Sequence, residues 1–107
     1  MTYDLGPSRP EELFDLVDLA NRVFRAGRPG DMGSEYPLVF EAPNAEHLFV
    51  ARGDGRVVSH VGVCLRDAAI LGARVRVASI GAVATDPDHR GHGLASRLMD
   101  MARAHAV

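Results

Sequence analysis

The stretch Val83-Ala84-Thr85-Asp86-Pro87-Asp88-His89-Arg90-Gly91-His92-Gly93-Leu94-Ala95 decides how this chain is read. It joins an apolar run to an amphipathic one. Gly91 and Gly93 let the backbone turn tightly and approach a ligand with no Cβ in the way. The residues after them open a helix whose first N–H groups lack an internal acceptor, and such an end attracts anions. The spacing therefore predicts a strand, a turn built to hold a phosphate group, and a helix.

Upstream, Arg74 to Ala84 reads as the longest strand, rich in Val and Ala with few polar side chains after Arg76. A strand so apolar on both faces is expected to be central and covered on both sides. Downstream, Leu94, Leu98, Met101 and His105 fall at helical spacing and mark the inner face of a final helix from about His92 to Ala106. Further back, Gly53-Asp54-Gly55 carries the Asp-Gly pair of a tight hairpin between a strand over His47 to Arg52 and a returning strand over Arg56 to Leu65. Asp67 to Leu71 continues as extended or bulged chain, and Gly72 marks a second turn. Near the N-terminus, Tyr3 to Gly6 predicts a short strand closed by Pro7. Ser8-Arg9-Pro10-Glu11 has the spacing of a capping box. The helix it starts presents Leu13, Leu16, Val17, Ala20, Val23 and Phe24 on one stripe and ends at Gly27-Arg28-Pro29-Gly30. Glu35 to Glu41 predicts a short helix interrupted by Pro37.

Bulk properties narrow the class. A chain of 107 residues holds one globular domain, 1–107, with a modest core and no internal repeat or linker. Twelve basic against fourteen acidic residues, without a block of like charge, lack the footprint of a nucleic-acid binder. No apolar stretch approaches the roughly 20 residues that cross a bilayer, and the N-terminus does not read as a secretion signal, so a soluble cytoplasmic protein with no membrane partner is expected. The single cysteine, Cys64, cannot form an internal disulfide and reads as a small buried hydrophobe. His89, His92 and His105 form no recognised zinc spacing, so no metal is expected. His60, within a strand, reads as a hydrogen-bonded or partly exposed sheet residue.

Arg90-Gly91-His92-Gly93-Leu94-Ala95 resembles the acyl-CoA-binding signature [QR]-x-x-G-x-[GA] of the GNAT superfamily of N-acyltransferases, with Arg90, Gly93 and Ala95 at its three defining positions. The element order is similar to the first two-thirds of that mixed α/β fold, so the resemblance covers nearly the whole chain. A nucleotide P-loop is disfavoured because no Gly-Lys-Ser or Gly-Lys-Thr follows, and a dinucleotide fold because the G-x-G-x-x-G spacing is absent. The resemblance implies that main-chain N–H groups of Arg90, Gly91, His92, Gly93, Leu94 and Ala95 surround the pyrophosphate of acetyl-CoA. It likewise implies that the strand end Val83, Ala84 and Thr85 offers main-chain hydrogen bonds to the pantetheine arm. Each hydrogen bond to a charged oxygen contributes about 1.5–3 kcal/mol, so Gly91 and Gly93 rank above Arg90.

The activity so implied is transfer of an acetyl group to a primary amine by direct attack in a ternary complex. A lysine-like amine with a pKa near 10.4 is neutral in only about one part in a few thousand at pH 7, a deficit of roughly 4.6 kcal/mol that a general base or an ordered water chain could offset. Some family members place a glutamate on the strand before the phosphate turn. Here Val77-Ala78-Ser79-Ile80-Gly81-Ala82 holds no carboxylate, and Ser79 is at best a water-orienting group. Glu35, Glu41 and Glu46 lie in or near the segment that shapes the acceptor site in the superfamily, and each reads first as a surface carboxylate. Neither Tyr3 nor Tyr36 matches the family's tyrosine acid, so the general base and acid stay unassigned. Arg25 to Phe40 loosely resembles the larger Eis-type branch, whose members acetylate aminoglycosides and lysines at several amines.

A complete domain of this family continues with a further strand, helix and hairpin. Three readings follow: a fragment of a longer acyltransferase, which is favoured, a domain completed by another chain, or a truncated domain. The unpaired strand edge then invites dimerisation or a complementing chain. The lack of a carboxylate and of a tyrosine acid keeps open a second class, a non-catalytic acyl-CoA-binding or assembly module.

Overall fold

In Leu48-Phe49-Val50-Ala51 successive side chains leave a strand on opposite faces, and both faces are apolar. In the computed structural model, which describes residues 2–36, 40 and 42–106, this run lies in a sheet with a helix on each side. Strands β1 (Asp4–Pro7), β2 (Leu48–Gly53), β3 (Arg56–Ile70) and β4 (Ala73–Thr85) follow one another in the order β1-β2-β3-β4. Every pairing among them is antiparallel, with Val50 opposite Gly6 on one side and His60 on the other. Helices α1 (Leu13–Phe24), α2 (Met32–Glu35) and α3 (Leu94–Ala106) complete the mixed α/β architecture that the sequence predicts.

Two clusters make the core. On one face Leu16 and Leu19 of α1 pack on Leu48, Val50, Val57 and Ala84. On the other, Leu94, Leu98 and Ala102 of α3 pack on Phe49, Ala51, Val61 and Val63. Full burial of a leucine contributes about 1.5–3 kcal/mol, so these rows fix both helices against the sheet. They also correct the predicted stripes. Leu19 is fully buried although the stripe omits it, whereas Leu13, Val17, Val23 and Phe24 are only half-buried. In α3 the buried row is Leu94, Leu98 and Ala102, and His105 lies exposed with its ring against Phe49 and His47.

The start of α1 shifts by one residue from the predicted box. Ser8 is held by β2 and the turn before it: its N–H donates to the Leu48 carbonyl at 2.6 Å and its hydroxyl to the Ala45 carbonyl at 2.5 Å. Glu12 takes over, accepting from the Arg9 N–H at 2.9 Å. The same carboxylate receives Arg52 at 2.6 and 2.8 Å, tying the helix entrance to β2. The short helix expected over Glu35 to Glu41 lies earlier, over Met32–Glu35, because Asp31 caps it by accepting from the Ser34 N–H at 3.1 Å. Residues 37–39 and Glu41 lie outside the described residues.

β4 corrects a larger expectation. It lies at the edge of the sheet, and Val75, Val77 and Val83 are exposed. The cause is length. At about 3.3 Å per residue β3 and β4 reach well over 40 Å, while the flanking helices, at 1.5 Å per residue, cover about 20 Å. Only the end of β4 near Ala84 is roofed by α1, and the Ile70–Val77 arm projects beyond both helices. His60 is fully buried, with the Phe40 ring edge-on at 5.9 Å, so of the two expected states, hydrogen-bonded or partly exposed, it is not the exposed one. The side chains of Cys64 and Ser79 lie outside those described. Among the described residues no helix is long and apolar enough to cross a membrane.

Candidate functional site

Strand β4 delivers its end to the foot of α1. Asp86 then acts as the fastener of the turn. Its N–H donates to the Val58 carbonyl at 2.7 Å, and its carboxylate accepts from the Asp88 N–H at 3.0 Å and from Arg22 of α1 at 2.9 Å. The Arg22 guanidinium, followed by the Asp88 amide, holds the Asp86 carboxyl below the ordinary carboxylate range. One turn of 3-10 helix, Pro87–His89, leads into Arg90, and Tyr3 from the chain start meets His89 with its hydroxyl 3.0 Å from Nδ1.

Gly91 and Gly93 take φ of +86° and +69°, a region that L side chains adopt at a cost of about 1–2 kcal/mol. Among the described residues, apart from the glycine and its two chain neighbours, no atom lies within 4 Å of where a Cβ would stand at either position. The glycines are therefore needed for the backbone path, and the space beside them is open. Arg97 is the first residue of α3 whose N–H reaches back, to the Gly93 carbonyl at 3.1 Å. The N–H groups of Leu94, Ala95 and Ser96 thus point out of the helix end without an intrahelical acceptor. Leu94 itself is buried in the α3 core, so this end cannot swing away from the sheet.

The end of β4 adds an open main chain. The Ala84 carbonyl accepts from the Ser59 hydroxyl at 3.0 Å, and the Asp86 N–H also points to β3. By strand alternation Thr85, between them, turns its own N–H and C=O to the outer edge, where no described strand pairs with it. A bulge precedes it. His60 opposes Ala84 and Gly62 opposes Gly81, so residues 82 and 83 together face Val61 and the ladder is broken beside the site.

These parts enclose a groove of about 380 Å³ lined by Val83, Ala84, Thr85, Arg90, Gly91, Gly93, Leu94 and Ala95, all of them residues the sequence nominated. His92 is not among the lining residues. Its ring is tilted against Tyr3 with centroids 5.4 Å apart. Val23, His89 and Ser96 line the groove and were not nominated. Val23 was legible only as an apolar helix position, and tertiary packing brings it here. Ser96 could have been found as the hydroxyl in the first turn after the signature, and His89 as the residue just before it.

The candidate acceptor-side carboxylates differ in state. Glu35 is ion-paired with Arg25, which holds its carboxyl below the usual range, so it is a weak base. Glu46 is exposed and lies 3.6 Å from His47. Among the described residues no group of three or more His, Cys, Asp or Glu side chains is placed to hold a metal ion.

An open helix end, two left-handed glycines and a free strand edge meet in one groove, a strand-turn-helix arrangement. The family model for the acetyltransferase (GNAT) domain matches residues 5–106, and the chain belongs to that family. A comparison with curated proteins finds no match. Among solved structures, a GCN5-related N-acetyltransferase from Kribbella flavida matches with a TM-score of 0.76 at 20% identity, over 98% of this chain and 27% of its own. A GNAT family acetyltransferase from Brucella melitensis, in complex with acetyl-CoA, matches with a TM-score of 0.73 at 21% identity, over 98% of this chain and 68% of its own. Eis1 from Mycobacterium abscessus matches with a TM-score of 0.71 at 16% identity, over 95% of this chain and 25% of its own. At these identities the likeness shows the fold alone. The chain spans about a quarter of the length of the Kribbella and Mycobacterium relatives.

Proposed function

We propose that this chain binds acetyl-CoA in the groove beside β4 and that the protein transfers the acetyl group to a primary amine. The observation that carries the reading is the coincidence of the unsatisfied N–H groups at residues 94–96 with open space over Gly91 and Gly93. A diphosphate fits there because its oxygens accept from several amides at once, each contact contributing about 1.5–3 kcal/mol. The pantetheine arm then runs along Val83, Ala84 and Thr85 and accepts and donates main-chain hydrogen bonds as a neighbouring strand does. The bound thioester supplies an activated acyl carbon. The chain's contribution is to orient it, through the loop held by Asp86 and Arg22, so that an acceptor nitrogen attacks directly and the thiolate departs.

The acceptor amine must lose a proton, and Glu35 is poorly placed to take it because Arg25 already holds its charge. A proton path through water is therefore part of the proposal. A second reading, an acyl-CoA-binding module without turnover, is favoured by the lack of any carboxylate in Val77–Ala82. Calorimetric titration with acetyl-CoA, followed by thiol release with a panel of amines, tests both. Binding with amine-dependent thiol release supports the transferase. Binding without release on any amine supports the module, and no binding refutes both.

A further inference from the structure

His89 immediately precedes the glycine turn, lines the groove and is half-buried. Its Nδ1 lies 3.0 Å from the Tyr3 hydroxyl, and the two rings meet edge to face at 5.8 Å. Tyr3 is itself packed against the α3 core cluster, so the phenol is a fixed partner and not a passing one. A phenol is a good donor and a neutral imidazole nitrogen a good acceptor, which favours the arrangement in which the hydroxyl donates to Nδ1 and the ring proton resides on Nε2. If the ring is protonated instead, Tyr3 turns to accept and Nε2 still carries its proton. In both of these states the nitrogen remote from Tyr3 is a donor, on a residue that lines the groove where the turn and the helix end gather their N–H groups.

We infer that His89 Nε2–H is a phosphate donor of this groove, its tautomer set by Tyr3, and that it discriminates phosphorylated thioesters from those lacking phosphate. The assignment rests on the reading of the groove given above. It adds one directional side-chain contact to a set of main-chain amides. Because a ring nitrogen held by a tyrosine packed on the core loses little freedom on binding, the contact is preorganised in the free protein.

Two measurements test it. In the free protein, long-range ¹H–¹⁵N correlation of the His89 ring is expected to show Nε2 protonated and Nδ1 an acceptor. A neutral ring carrying its proton on Nδ1 overturns the assignment. In calorimetric titrations, His89→Ala is expected to weaken acetyl-CoA binding about tenfold, the low end for a hydrogen bond to a charged oxygen at a half-buried site. It should leave binding of S-acetyl-pantetheine, which has no phosphate, unchanged. His89→Gln, whose amide nitrogen stands near the Nε2 position, is expected to stay within about threefold of the parent protein. His89→Asn, whose amide is too short, is not. Tyr3→Phe should weaken acetyl-CoA binding less than His89→Ala does. Thermal unfolding of each variant separates lost contact from lost fold. Equal losses for the two ligands, or no loss with His89→Ala while the parent protein binds acetyl-CoA, removes this assignment alone. A parent protein that binds no acetyl-CoA removes the underlying reading with it.

Discussion

Substituting Gly93 separates the two roles that the turn combines. At φ of +69° any side chain costs about 1–2 kcal/mol of backbone energy in the folded state. Among the described residues beyond its chain neighbours, no atom lies within 4 Å of the new Cβ, so no packing clash adds to that cost. For a domain of this size each kcal/mol lowers Tm by roughly 4–8 °C, which puts Gly93→Ala about 4–16 °C below the parent protein. Ligand binding should suffer far more. The Cβ projects into the groove where a diphosphate must approach the amides, and loss of two such hydrogen bonds weakens affinity by about a hundredfold or more. Gly93→Val adds bulk in the same place and should abolish binding while α3 persists. Gly55, at φ of +76° in the β2–β3 hairpin with equally open space, is the control. Gly55→Ala should lose comparable stability and no affinity. Calorimetric titration with acetyl-CoA at a temperature where all variants are folded reads the difference. Unchanged affinity in folded Gly93→Val, or an equal loss in Gly55→Ala, would refute the reasoning.

Other outcomes follow from the same contacts. Glu12→Gln should destabilise by about 1–3 kcal/mol in urea unfolding, since it leaves Arg52 half-satisfied in a largely buried pair. Arg52 is the chief cause holding the Glu12 carboxyl below its ordinary value near 4.5, so the stability it contributes is complete above that value and is lost as pH falls through the lowered one. The variant should accordingly lose less stability than the parent protein on acidification below about pH 4.5. Leu71→Asn should stabilise by about 0.5–1 kcal/mol, because Leu71 is fully exposed at φ of +51° in a two-residue turn that favours Asn-Gly. A lower urea midpoint would contradict that. Asp86→Ala releases the turn from Arg22 and from the Asp88 amide. Amide exchange at Asp88 and His89 should accelerate about tenfold, with no change in the β2–β3 hairpin.

Local signals proved the most legible in the sequence. Asp54-Gly55 predicted its hairpin because the turn type demands those residues, and both take positive φ. The strand read over His47 to Arg52 is found as β2, Leu48–Gly53, because the turn that follows it fixes where it ends. The strand-turn-helix at 83–95 was legible for the same reason, since its glycines and helix end act within a dozen residues. What was not legible depends on partners far along the chain. Ser8 looked like a helix cap and is instead bound to Ala45, which no spacing rule reveals. The second turn was legible at Gly72, but not that β3 runs on to Ile70 and places Leu71 at positive φ, which the long pairing of β3 with β4 imposes. The apolar run of β4 predicted a covered strand, but apolarity says what a strand can bury and not how far its roof extends. Val23 and His89 entered the groove through α1 packing and the Tyr3 contact, both set by tertiary structure.

The central claim is that main-chain nitrogens at the start of α3 hold the ligand's phosphates. Amide ¹H–¹⁵N shift mapping during titration with acetyl-CoA tests it most directly. The account predicts that the largest perturbations fall at Gly91 to Ser96, with a second set at Val83 to Thr85, and that S-acetyl-pantetheine moves only the second set. Perturbations centred elsewhere, for example on the arginine-lined hollow between Asn21 and Gly30, or no perturbation at saturating acetyl-CoA, would contradict it.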